Sequence, residues 1–157
     1  MPHLPFSVVG VLHWLLASLW LVSLNAQAAI EVGTLTGELN LGPHVQLLED
    51  AERELDIEQL AGEGGALAWQ PSRQETLNFS FSDSAWWLRL RVENNASSPV
   101  RRLLELAMPL HDYLDAYVVD EQGETVKQWQ SGDRRHFDSR PVAHRTFVLP
   151  IHMPAGA

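Results

Sequence analysis

Residues 131–150 read SGDRRHFDSRPVAHRTFVLP, which sets four arginines, two aspartates and two histidines in one short region. Such side chains could ligate a metal, move a proton or hold a polar ligand. His136 and His144 lie eight residues apart across Pro141, which is neither the i, i+4 pair of a helical zinc site nor a tight ligand loop. His136 with Asp138, or His144 with Asp133, would make a base with a carboxylate partner. No Gly-x-Ser-x-Gly elbow and no Gly-rich phosphate loop accompanies them. No metal, cofactor or catalytic residue is therefore expected. Two readings remain. In one, Arg and Asp pair across a long loop, and Arg140-Pro141 fixes the approach to a last strand. In the other, the loop is the rim of a ligand site, with Asp133 accepting from hydroxyls and Arg134, Arg140 and His144 donating.

A second group sits in residues 85–93, AWWLRLRVE. In a strand, adjacent Trp86 and Trp87 project to opposite faces. Trp86, Leu88, Leu90 and Val92 form an apolar set, expected to face the core. Trp87, Arg89, Arg91 and Glu93 form the other set, expected to face outward. There Trp87 could stack a ring beside the Arg89 donor, or both could cover the flank of the fold with stems packed and heads solvated. Tyr113 and Tyr117 could extend that platform or cap the core edge. The acidic run at 49–54 lacks the Gly hinge of a calcium loop and is expected to be a solvated turn.

The elements that must position these residues are mostly strands. Residues 29–43, with Gly33, Gly37 and Gly42, read as a lead-in, and 44–50 as a strand. Residues 55–60 have apolar spacing for a short helix, which Gly62, Gly64 and Gly65 stop. A period of two follows at 76–81, 85–93, 100–108 and 113–119. In the third of these, Val100, Leu104, Leu106 and Met108 share a side. Asp120-Glu121-Gln122-Gly123 is a hairpin turn returning through 124–130, and 146–151 is a last strand. Short strands at regular spacing indicate an all-β, jelly-roll-like sandwich over 44–157. The turn after the last strand leaves an edge to cover, so further strands beyond Ala157 are expected.

Composition narrows the function. The chain has 157 residues and a formal net charge of −9, which excludes a nucleic-acid binder dependent on clustered Lys and Arg. Cysteine is absent, so no disulfide framework, thiolate nucleophile or Cys-based zinc site exists. The first charged side chain is Glu31, and residues 6–24 are nearly all apolar. Ala26 and Ala28 give the small-x-small pattern read by signal peptidase, so residues 1–28 are expected to be a signal peptide. The long apolar run and the lack of Lys or Arg before it leave an uncleaved anchor helix as the alternative. Either one exports the rest.

Several short motifs occur in order. Leu41-Gly42-Pro43 and Leu48-Glu49-Asp50 come first, then NFSFSDSAWWLR from Asn78 to Arg89. Gly132-Asp133, Phe137, Arg140-Pro141, His144-Arg145 and Phe147 follow. Together, over residues 40–152, this set resembles the type 2 extracellular domain of the seven-transmembrane receptors with diverse intracellular signalling modules (7TMR-DISM). The resemblance implies a jelly-roll sandwich similar to carbohydrate-binding modules. It places the domain in the bacterial periplasm, ahead of a seven-helix membrane domain and a histidine kinase or diguanylate cyclase output outside this chain. The implied partner is a small-molecule ligand, often supposed to be a carbohydrate, and a homodimer stays open. A secreted carbohydrate-binding module without a receptor is the alternative. A glycan-active enzyme on the same architecture is a more distant one, requiring paired carboxylates.

Overall fold

The computed structural model describes residues 28–62 and 67–157. Residues 1–27 of the expected signal or anchor segment 1–28, and Gly64 and Gly65, lie outside the described residues. The fold class expected from the sequence, an all-β sandwich, is the one observed. Strand β1 is Ile30–Glu31 and β2 is Gln46–Asp50; helix α1 is Ile57–Gly62; β3 is Gln70–Pro71, β4 Ala85–Arg89 and β5 Val92–Glu93. Strand β6 is Val100–Leu106, β7 Leu114–Val119, β8 Thr125–Ser131 and β9 Phe147–Met153.

The β7–β8 hairpin follows from local chemistry. Asp120 Oδ1 accepts from the N–H groups of Gln122 and Glu124 at 3.0 and 2.8 Å. Gly123 takes φ 85°, where a side chain would be strained. Helix α1 begins with a reciprocal capping box: Asp56 Oδ1 accepts from Gln59 N–H at 2.9 Å, and Gln59 Oε1 accepts from Asp56 N–H at 3.0 Å. It anchors through Leu60, which is buried.

The best-buried apolar side chains come from β9. Antiparallel pairing with β6 sets Leu104 opposite Leu149 and Leu106 opposite Phe147, and Phe147, Val148, Leu149 and Met153 are all buried. Burying side chains of this size contributes roughly 1.5–3 kcal/mol each. Strand β6 alternates as expected, with Val100, Leu104 and Leu106 turned inward, but it ends at Leu106, and Met108 beyond it is exposed. Arg102, on the same inner side, donates Nε to Val32 O at 2.9 Å and Nη2 to Leu35 O at 3.0 Å. That guanidinium fastens the lead-in to the sandwich. The lead-in also carries β1, which pairs with β5 in parallel, Ile30 opposite Val92.

One residue closes this end. Asn94 is fully buried. Its side-chain amide donates to Ser98 O at 3.1 Å and also to Pro154 O, its Oδ1 accepts from Ala96 N–H at 3.2 Å, and its own N–H donates to Ala157 O. An amide can serve donors and acceptors at once, which satisfies a crowded set of main-chain groups away from water.

Three further expectations about the strands fail. Residues 76–81 form no strand. Asn78 Oδ1 accepts from Ser80 N–H at 2.8 Å, Ser80 sits at φ 55°, and Phe81 is fully exposed. This side-chain turn captures the N–H that a ladder would need. The strand expected at 85–93 breaks between Arg89 and Val92. Finally, the expected inner and outer faces of β4 are exchanged. In the ladder with β2, Trp87 pairs with Leu48, and Arg89 with Gln46, while Leu88 pairs with Leu47 and Trp86 with Glu49. Gln46, Leu48 and Asp50 are buried, whereas Leu88 is 44% exposed. Counting apolar residues along β4 reads the wrong side as core, because its inward polar groups are satisfied by partners on β2.

Candidate functional site

The inward face of β4 joins polar and aromatic groups from separated parts of the chain. Arg89 donates Nε and Nη2 to Gln46 Oε1 at 3.0 and 2.7 Å. Its guanidinium carbon lies 4.1 Å from the centre of the Trp69 ring, in cation–π contact. Burial lowers the Arg89 pKa from its ordinary value, yet guanidinium stays charged at neutral pH. Among the described residues Nη1 makes no hydrogen bond.

Trp87 donates its indole N–H to Asp50 Oδ2 at 3.4 Å, and its ring stacks on Tyr117 of β7 with centroids 6.2 Å apart. Asp50 is 6% exposed, so the acidic run at 49–54 is not solvated throughout. Its carboxylate also accepts from the N–H groups of Glu54 and Leu55, both at 3.1 Å. Burial by itself raises the Asp50 pKa; these main-chain donors and the Trp87 indole outweigh it and hold the carboxyl below its ordinary value. Burial, then the Asp115 charge, pushes the Tyr117 hydroxyl up.

The loop candidates stand elsewhere. Gly132, at φ 134°, lets the chain pass against the Asp112 backbone, where a Cβ would collide. Asp133 N–H donates to His111 O at 2.7 Å, and its exposed carboxylate has no partner among the described residues. Arg134 makes a solvated pair with Asp112 at 3.5 Å. Arg135 reaches Asp115 at 3.0 Å. Arg140 donates Nη1 to His144 O and Arg145 O at 2.9 and 2.7 Å and lies over the Phe147 ring at 4.3 Å. His144 Nδ1 is 2.7 Å from the Thr146 hydroxyl, which donates to Glu105 Oε1 at 2.7 Å. Thus Trp87 and Arg89 share one face of β4, Asp133 and Arg134 are chain neighbours without a contact between their side chains, and Arg140 is bonded to the His144 carbonyl. Among the described residues no hydrogen bond, ion pair or ring contact joins these three groups. Reasoning from sequence missed Gln46, Asp50 and Trp69. A signal existed for Asp50 and Gln46, which share one side of β2 with Leu48; Trp69 lies outside any periodic segment.

The family model described as 7TMR-DISM extracellular 2 matches residues 42–157. The chain belongs to that family. Membership makes this 7TMR-DISM extracellular domain a sensor domain of a transmembrane receptor, on the extracellular or periplasmic side. No curated protein matches the chain. Among the described residues no helix of the 7TMR-DISM domain is long and apolar enough to cross a membrane.

Proposed function

We propose that this domain is the periplasmic ligand-sensing part of a bacterial signalling receptor of the histidine kinase or diguanylate cyclase type. In this reading residues 1–28 are the signal peptide, and a small polar ligand of carbohydrate type is held at the Trp87–Arg89 face. The supporting observation is the arrangement on β4: a half-buried Trp87 ring facing Tyr117, with a half-buried guanidinium two residues along and one of its nitrogens unengaged. Rings stack on the apolar face of a sugar, and the fork of donors suits an acidic group such as a uronate carboxylate. Asp133, Arg134, Arg140 and His144 form the outer rim. Asp133 has the unengaged acceptor, and Arg140 is the one most committed to the backbone.

Calorimetry with hexuronic acids and hexoses tests this on wild type, Arg89→Ala, Asp133→Ala and Arg140→Ala. Loss of a partner to a desolvated ligand group costs on the order of 1–3 kcal/mol, so Arg89→Ala should weaken binding by about tenfold or more. If the three variants only lose melting temperature and no ligand separates them from wild type, the rim is scaffold and the reading fails.

A further inference from the structure

The face of β4 turned away from Trp87 belongs to the floor of a groove. The strand order is β3-β2-β4, and residues directly opposite each other in a ladder share a face. The register sets Gln70 of β3 opposite Leu47, and Trp86 of β4 opposite Glu49. Leu47 and Glu49 are two apart on β2, so all four stand on one side of the three strands. The connector before β4 borders the same space through Gln74 and Phe79. Phe79 stacks on Trp86 with centroids 4.4 Å apart and planes inclined by 21°. The groove measures about 340 Å³, within the size range of small-molecule pockets.

The lining supplies two kinds of group. Trp86, Phe79, Leu47 and Ala68 are apolar surfaces, which suit a hydrocarbon body. Among the described lining residues Glu49 alone carries a charge. Its Oε1 accepts from Ser84 Oγ at 2.7 Å, which holds the carboxylate and leaves Oε2. Among the described residues no Lys, Arg or His forms an ion pair with it. The side-chain amides of Gln70 and Gln74 make no hydrogen bond among the described residues, so each keeps a carbonyl oxygen. Asn78 adds none, because its Oδ1 accepts from Ser80 N–H at 2.8 Å. Three acceptor atoms, one of them charged, match the three N–H donors of a primary ammonium. An anion would meet an unneutralised carboxylate. A formal net charge of −9 also draws cations to the chain.

We propose that this groove binds a primary amine with an apolar body, the ammonium at Glu49 and the body against Trp86 and Phe79. This does not rest on the Trp87–Arg89 reading. That face lies on the other side of the strand, and its guanidinium selects an acid.

The test is calorimetry on the full chain with probes that share a phenylethyl body: phenethylamine, 2-phenylethanol and 3-phenylpropionate. Phenethylamine should bind wild type, and 2-phenylethanol about tenfold or more weakly, since it brings no charge to Glu49. Glu49→Gln keeps an acceptor for Ser84 at an exposed position. It should weaken phenethylamine by about tenfold or more and leave 2-phenylethanol nearly unchanged. Phe79→Ala should weaken both probes. Where that variant melts early, Glu49→Gln still decides. Arg89→Ala should leave phenethylamine unchanged, and in that background 3-phenylpropionate should not bind. No phenethylamine binding to wild type overturns the proposal. So does equal affinity for the amine and the alcohol, which would make the groove an apolar slot with no use for its charge. Amine binding that survives Glu49→Gln and is lost with Arg89→Ala overturns it as well.

Discussion

On one face of β4, Trp87 and Arg89 stand opposite Leu48 and Gln46, and Tyr117 from the hairpin lies over the indole. On the other, Trp86 and Leu88 stand opposite Glu49 and Leu47, beneath Phe79 from a connector that is not a strand. Each face has one tryptophan. They differ in what covers them. The first meets another pair of strands and engages Arg89 Nε and Nη2 and the Trp87 indole across the ladder, whereas the second meets a single irregular segment that leaves a cavity. A buried face can therefore be the more polar of the two when most of its polar groups find partners.

The largest test of that contrast is a pair of truncations. Trp87→Ala removes the contact between the two ladders and the indole donor to Asp50, and should cost about 3–5 kcal/mol. Trp86→Ala should cost less, about 1–2 kcal/mol, because the lone connector can settle into the space. Urea unfolding that gives equal losses would break the distinction.

A smaller effect is expected at Asp50. Asp50→Asn keeps the shape but loses charge-assisted acceptance from two main-chain donors and the indole, at roughly 2 kcal/mol near neutral pH. The folded carboxyl has a lowered pKa, so the folded state holds that proton less well than the unfolded chain. Its contribution is present above the ordinary Asp value of about 3.9 and is lost as pH falls through the folded value. The Asn variant should therefore lose less stability on acidification than wild type. A pair of melting curves against pH that stay parallel into acid would remove Asp50 from the account.

The smallest effect sharpens the orientation of the strand. Leu88→Gln, on the exposed side, should change stability by no more than about 0.5 kcal/mol, while Leu48→Gln should cost several times that by burying an amide. A large loss at Leu88 would restore the orientation expected from the sequence.

Why one part of this was legible and another was not has a physical basis. The β7–β8 hairpin and the start of α1 depend on contacts within a few residues, Asp120 with Gln122 and Glu124, and Asp56 with Gln59, so the local sequence contains their cause. The alternation of β4 was equally local, and Trp87 and Arg89 do share a face. Which face turns inward depends on Gln46 and Asp50, some forty residues earlier in the chain, and no period in β4 encodes that. At 76–81 the alternation was real, but Asn78 and Ser80 had a competing local turn. Asn94 lies outside every periodic segment, and only long-range packing makes it a buried hub. The rim candidates were found by residue type, which says nothing about whether Arg140 is already engaged by carbonyls.

Asn94 has a mechanical consequence. Residues 153–157 and the lead-in are fastened within one small knot: the Asn94 amide grips Pro154 O and its N–H grips Ala157 O, Val32 N–H holds Glu93 O at 2.8 Å, and the Glu31 carboxylate holds Asn95 N–H at 3.0 Å. Tension applied between those two segments is borne across this knot instead of through the width of the sandwich. Both faces of β4 lie off that line of force, and the strand meets it only where the chain runs on from Arg89 to Val92.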